Sequence, residues 1–306
     1  MAEGSSGGAA LELPRDARRR ISALAWKRPW LRLAALLTPP VAAFLLVYVG
    51  ALVALLVSSF WTTDAFTGKT VHTWTLENFR TIFSFADPAY LKIAGRTIAI
   101  AAAVTVTDAV VALPFAYFMA RLASPRLRSI LFLLVLLPLW SSYLVRIYSW
   151  TTILAKSGPL NWALNGLGLP DAHLEFTNKA MWIVFSYVWL PFMILPVYAA
   201  LERIPGSMLE ASRDLGARGF RTFRSVILPL AFPGVVAGSI FTFSLTLGDY
   251  ITPLLVGGPS STLIGNIVSE QSAANLTFAA AYAMVPVAVM AAYVLVARRL
   301  GAFEAL

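Results

Sequence analysis

Apolar residues along this chain fall in six long runs separated by shorter polar stretches. The runs are Leu33 to Phe60, Ile93 to Leu122, Ile130 to Ala155, Met181 to Leu201, Val226 to Tyr250 and Phe278 to Val296. Each is about twenty residues or longer, the length an α-helix needs to cross a hydrocarbon core roughly 30 Å thick. Prolines fall inside all six: Pro39 and Pro40, Pro114, Pro138, Pro191 and Pro196, Pro229 and Pro233, and Pro286. A membrane helix tolerates proline where neighbouring helices or water satisfy the freed carbonyls, so kinked and mutually packed helices are expected rather than simple anchors. The first run is too long and too late for a cleaved signal peptide and reads as an uncleaved signal-anchor. The pattern predicts an all-α integral membrane protein with six transmembrane helices.

Composition supports that reading. Hydrophobic residues make up 58% of the 306, mean hydropathy is +0.74 and only 13% are charged, about half the charged share of soluble domains. A net charge of +9 would suit nucleic acid, but its distribution does not. With the N-terminus inside, 17 of the 24 Lys and Arg lie on the inner side. They are Arg15, Arg18, Arg19, Arg20, Lys27, Arg28 and Arg32, then Arg121, Arg126 and Arg128, then Arg203, Arg213, Arg218, Arg221 and Arg224, then Arg298 and Arg299. This is the positive-inside pattern, and it places both termini in the cytoplasm. The expected partner is membrane lipid, not nucleic acid. With no cysteine and two isolated histidines, His72 and His173, no disulfide and no metal site is expected.

Residues 1–32 read as a cytoplasmic tail, Gly/Ser/Ala-rich and then basic. Its end, Arg18 to Arg32 with Trp26 and Trp30, suits either a helix lying on anionic lipid or a solvated basic tail. Residues 33–300 form the membrane domain and 301–306 a short cytoplasmic tail. The outer loop from Trp61 to Leu91 is long enough to contact something outside the membrane, and residues 157–178 suggest a short helix or re-entrant piece.

The polar stretch between the fourth and fifth runs, residues 203–229, has internal structure. Ser207-Met208-Leu209-Glu210 has the form of a capping box, so a helix starting with Ser207 as its N-cap is expected. Gly216 stands where a helix end wants a residue at positive φ. The enclosed helix would be roughly 12 Å long. A second short helix is expected near Thr222, and Leu228-Pro229 marks re-entry into the membrane. Glu210-Ala211-Ser212, three residues, Gly216, nine residues and Val226-Ile227-Leu228-Pro229 resemble the EAA loop of ABC-importer permeases, with Ser212 for the family's second Ala and Val226 for its Ile. The resemblance implies that Ser207, Glu210, Ala211, Ser212, Gly216, Leu228 and Pro229 dock onto an ATPase. Glu210 either completes the cap or makes the acidic docking contact, and the two are compatible. Arg213, Arg218, Arg221 and Arg224 face lipid phosphates by default, or acidic ATPase residues.

The motor itself is not expected in this chain. Gly68-Lys69-Thr70 supplies the tail of a phosphate-binding loop, but Thr63 stands where its first Gly should be, and the segment lies on the outer side. ATP and Mg²⁺ therefore belong to a partner, this chain carries no cofactor, and it is not an enzyme. Ionisable groups inside spans are the cargo candidates: Asp108 in the second run, Arg146 in the outer half of the third and Asp249 near the outer end of the fifth. Asp108 and Arg146 either pair structurally or line the cargo path, whereas Asp249 has no basic partner within its run. Trp140, Tyr143, Tyr148, Trp150, Trp182, Tyr187, Trp189 and Tyr250 gather nearby in sequence; most suit interfacial belts and packing, and beside a carboxylate such faces also suit an organic cation.

Three segments narrow the resemblance. Residues 137–150 (LPLWSSYLVRIYSW), 247–259 (LGDYITPLLVGGP) and Ile264-Gly265-Asn266 look like the first permease subunit of spermidine/putrescine importers, and related permeases carry opines or aminophosphonates. The chain departs from that pattern in its long N-terminal tail and sparse outer-loop acids. The resemblance implies a MetI-like fold in a bacterial inner membrane, a second permease subunit, an ATPase dimer and an extracytoplasmic binding protein. Against an ion-coupled secondary transporter stand the absence of internal symmetry and the single midplane Asp.

Overall fold

A computed structural model describes residues 29–64 and 67–299. The basic tail and the C-terminal tail proposed from the sequence lie outside the described residues, apart from the start of the first helix. The chain divides into two compact units, Met1–Val57 and Ser58–Leu306.

The first unit holds α1 (Pro29–Phe44), a π-helical turn (Leu45–Val49) and the start of α2 (Gly50–Ser58). Pro39 and Pro40 sit inside α1, and the helix continues through them. The stretch Leu36–Ser58 is long and apolar enough to span a membrane.

The second unit opens with a small hairpin, β1 (Thr62–Thr63) against antiparallel β2 (Thr70–Val71), and a short helix α3 (Glu77–Ile82). The Gly68-Lys69-Thr70 sequence turns this hairpin, with Gly68 at φ +65°. The bundle follows: α4 (Ala89–Tyr117), α5 (Pro125–Trp140), α6 (Tyr143–Leu154), α7 (Pro159–Gly166), α8 (Asn178–Glu202), α9 (Gly206–Asp214), α10 (Gly219–Thr222), α11 (Leu228–Gly248), α12 (Ile264–Ala274) and α13 (Leu276–Arg299). Helices α4, α8 and α11 pack together at its centre.

Small residues let those backbones approach. A Cβ on Gly234 would lie 2.5 Å from Ala200 Cβ and 2.6 Å from the Pro196 carbonyl oxygen, and one on Gly238 would lie 2.7 Å from Met193 Sδ. Gly234 and Gly238 stand four apart on α11, the small-xxx-small spacing that brings membrane helices into close contact. At the basic end, Arg121 Nη2 donates to the carbonyls of Leu201 and Ile204, both at 2.5 Å. Arg128 donates to the carbonyls of Met119 and Ala120 and lies 3.9 Å from Glu202. These cations satisfy carbonyls that helix ends leave open. The opposite end is tied by Thr97 Oγ1, which accepts from Ile264 N at 3.1 Å, and by Tyr282, whose hydroxyl donates to the Tyr90 carbonyl at 2.8 Å.

Among the described residues, five stretches are long and apolar enough to cross a membrane, and a sixth span exists if one bent helix pair is counted. That pair corrects the third run. Ile130 to Ala155 is not one rod: the chain breaks at Ser141-Ser142 and turns through 96° between α5 and the α6–α7 arm. Ser141 turns its hydroxyl back onto the Pro138 carbonyl at 2.8 Å, closing the end of α5. Sixteen residues give α5 a length of about 24 Å, and Arg146 lies on α6, beyond the bend.

Candidate functional site: a docking helix and a cargo hollow joined by one helix

At the basic end, α9 follows Pro205, whose extended backbone (φ −63°, ψ 140°) makes it the N-cap. Its carbonyl accepts from Met208 N at 3.2 Å. The capping box is therefore corrected: Ser207 lies exposed in the first turn and no side chain caps the helix. Proline's fixed φ and its position just before Gly206 define the start two residues earlier than the S-x-x-E pattern suggests. Glu210 and Ala211 are exposed on the finished helix.

The stop is as expected. Gly216 has φ +76°, its N–H donates to Arg213 O at 2.8 Å, and Ala217 N donates to Ser212 O at 3.0 Å. The pair of bonds is a Schellman closure, which needs a residue at positive φ and so favours glycine. Ser212 is buried and its hydroxyl lies 3.0 Å from Thr222 Oγ1. Hollows of about 350 and 480 Å³ flank the helix, and Met208 lines both. Leu215 and Phe220 are 87% and 77% exposed beside them.

The second short helix starts at Gly219, not near Thr222, and does not stop before the membrane. Helix α10 passes through a π-helical turn (Phe223–Ile227) directly into α11. The whole rod, Gly219–Gly248, is 30 residues, about 45 Å. Leu228-Pro229 lies within it, and the wider π turn just ahead accommodates the proline, which has no N–H to offer the preceding turn.

At the far end of the rod α11 breaks at Asp249, which caps two elements at once. It ends α11 in an extended conformation, and its Oδ1 accepts from Ile251 N at 2.7 Å and Thr252 N at 3.1 Å, starting the next helical turn. Its Oδ2 accepts from Thr252 Oγ1 at 3.0 Å and from the Tyr143 hydroxyl. Tyr143 reaches across from α6, stacks on Trp189 of α8 with ring centroids 5.6 Å apart, and carries the Arg146 guanidinium 5.9 Å from its ring centre. Behind Asp249, Asn266 Nδ2 donates to the Tyr250 carbonyl at 2.8 Å. A Cβ on Gly265 would lie 2.6 Å from Asp249 O, so only glycine fits there. An open hollow of about 310 Å³ results, its walls including Tyr143, Trp189, Ser244, Asp249 and Tyr250. A neighbouring hollow of about 380 Å³ shares Gly248 and Tyr250.

The structure thus brings Tyr143, Asp249 and Tyr250 together, with Arg146 over the Tyr143 ring, and leaves the aromatic candidates Trp140, Tyr148 and Trp150 apart. Trp140 is 89% exposed at the end of α5, Tyr148 is exposed, and Trp150 packs edge-on against Tyr187 at 5.3 Å. The Asp108–Arg146 pair is corrected: Asp108 is buried in α4 beside Ser186, Arg146 faces Tyr143, and no ion pair joins the two among the described residues. The bend after α5 is the cause. Sequence reasoning counted Trp189 among the nearby aromatics without placing it in the site, and left Thr252 out. Thr252 had a signal, because Asp249 followed by Thr252-Pro253 is an N-cap before a helical turn.

Comparison with known proteins now gives this architecture its place. Residues 112–302 match the family described as binding-protein-dependent transport system inner membrane component. The inner membrane ABC transporter permease protein YdcU of Escherichia coli K12 is 46% identical over 302 residues, covering 94% of this chain and 95% of that protein. The spermidine/putrescine transport system permease protein PotB of the same organism is 35% identical over 200 residues, covering 65% of this chain and 71% of PotB. Among solved structures, a bacterial ABC transporter involved in import of the polysaccharide alginate shares the fold, with TM-score 0.72 at 19% identity over 92% of this chain and 98% of that one. The chain belongs to the binding-protein-dependent transport system inner membrane component family, as a non-catalytic permease subunit of an ABC importer.

Proposed function

We propose that this permease imports a small organic cation, a polyamine of the spermidine/putrescine class, with the hollow at Asp249 on its path. The observation that carries the reading is the meeting of Asp249 with Tyr143, Trp189 and Tyr250 at the break of α11. An anionic carboxylate beside aromatic faces attracts alkylammonium groups through charge and cation–π contact. Similarity to PotB supports the same cargo. Because Asp249 already accepts four hydrogen bonds, its part is to hold negative charge and the aromatic wall in place, and cargo meets chiefly the rings.

At the other end α9 docks onto an ATPase dimer through its exposed Glu210–Ala211 face, with Leu215 and Phe220 beside it. Nucleotide and Mg²⁺ are held by that partner. A second permease subunit completes the membrane pathway, and an extracytoplasmic binding protein delivers cargo. Both termini lie in the cytoplasm, consistent with the basic end gathering Arg121, Arg128 and Arg299. Closure of the ATPases on ATP pushes α9, and the rod from Gly219 to Gly248 carries that movement to the hollow, opening it outward. Hydrolysis and product release return it inward. A related importer was solved in complex with an alginate-bound periplasmic protein, which supports the delivery step by analogy of fold.

Radiolabelled spermidine uptake by the reconstituted complex tests the cargo. Uptake saturable and competed by putrescine is expected. Indifference to excess putrescine and spermidine, with uptake of an opine or an aminophosphonate instead, would replace the polyamine reading.

A further inference from the structure

A surface helix held only by its chain connections swings when pushed, and the movement is lost in the turn beside it. Helix α9 is exposed to that hazard, since hollows flank it and a tight turn separates it from α10. Two backbone bonds close the turn and Leu209 of α9 packs on the bundle core, but apolar contact is non-directional and leaves the fine angle between α9 and the rod to the soft dihedrals of residues 215–218. One side-chain bond crosses the same turn. Ser212 Oγ and Thr222 Oγ1 lie 3.0 Å apart, and the two residues are 8% and 7% exposed.

Both partners are placed to matter. Ser212 also supplies the carbonyl that accepts Ala217 N, so one residue ties the turn by backbone and side chain. Thr222 is the last residue of α10 and leads into the π turn and α11. A hydroxyl buried without its partner keeps the desolvation cost and loses the bond, so the pair favours a single relative geometry. The docking segment this chain resembles carries Ala where Ser212 stands, and a methyl group cannot make this bond. Glu210 and Ala211 beside it are exposed; Ser212 points the other way, into the joint.

We infer that Ser212 and Thr222 form the joint that fixes the docking helix to the transmembrane rod, making Ser212 a positioning residue for coupling. It sets the angle at which movement of α9 is delivered to α11. The inference rests on the docking reading of α9, and it is independent of which solute is carried.

Its test therefore needs no cargo. The chain has no native cysteine, so Tyr250→Cys gives a single label site in the hollow. In the complete reconstituted complex, labelling by a water-soluble maleimide is compared with and without ATP and orthovanadate. The ATP-dependent change should fall roughly fivefold or more in Ser212→Ala and in Thr222→Val, the factor expected from one lost buried hydrogen bond. Ser212→Thr and Thr222→Ser keep a hydroxyl and should keep the response, and both Thr222 variants should retain the ATPase on purification. Overturning results are a full response in Ser212→Ala, a Ser212→Thr variant as defective as Ser212→Ala, or loss of the ATPase from Thr222→Val. Full ATPase capture by Glu210→Ala, with both Ser212 variants behaving as the parent, would remove the docking reading and the joint with it.

Discussion

The two ends of the rod solve opposite problems. At the proposed docking end, α9 leaves Glu210 and Ala211 exposed and buries the Ser212–Thr222 hydroxyl pair. At the hollow, the charged group is the hidden one: Asp249 is 8% exposed and bonded to four donors, while the neighbouring Tyr250 ring is 44% exposed. A surface meant for a protein partner keeps its charge in water, where it is inexpensive. An ionised carboxylate buried among helices is expensive to leave without donors, because an unsatisfied buried charge costs several kcal/mol. The fold meets this by using Asp249 to cap a helical turn, and the contact surface passes to the aromatics.

That contrast is open to breakage. The largest effect is expected where both ends depend on one contact. Gly234→Leu forces side-chain atoms into Ala200 and Pro196, at a cost of about 3 kcal/mol. Transport and ATPase coupling should fail together, with a lower melting temperature in detergent. Asp249→Asn comes next: it removes an ionised acceptor from four hydrogen bonds, worth about 1.5–3 kcal/mol for a single such bond. Uptake should drop at least about tenfold with the ATPase still bound. Tyr143→Phe should show a smaller loss of the same kind. Gly216→Val puts a β-branched residue at φ +76°, costing roughly 1–2 kcal/mol, and should reduce ATPase-coupled movement while leaving the hollow's geometry intact. Trp140→Ala is the smallest: the ring is 89% exposed and outside the hollow, so stability should change by less than about 0.5 kcal/mol and uptake should be unaltered.

Legibility in the sequence divides along the same line. The end of α9 could be read because it is set by local chemistry: Gly216 marks a turn that requires positive φ, and the structure places it at +76°. The error at its start was also local, since Ser207 fitted a capping pattern that Pro205 pre-empted. Spans were visible wherever apolar length determines them. The bend at Ser141-Ser142 was not, because apolar residues continue on both sides and the 96° turn is a tertiary fact. With it went the pairing of Asp108 and Arg146, which assumed two straight neighbouring helices. Asp249 was found for its charge, whereas its structural work was written in the Asp249-Tyr250-Ile251-Thr252-Pro253 spacing of a cap. Trp189 could not be singled out from the other aromatics, because only packing shows which ring stacks on Tyr143.

The central claim is that one chain couples an ATPase at one end to a cargo hollow at the other. The most direct measurement is solute uptake per ATP hydrolysed in proteoliposomes, made in parallel on Glu210→Ala and Asp249→Asn. Glu210 is exposed and Asp249 is buried, so the two changes act at separate ends. The account predicts that Glu210→Ala loses ATPase binding and with it both activities, while Asp249→Asn keeps ATP hydrolysis and loses uptake. Normal coupled uptake in Glu210→Ala would contradict it.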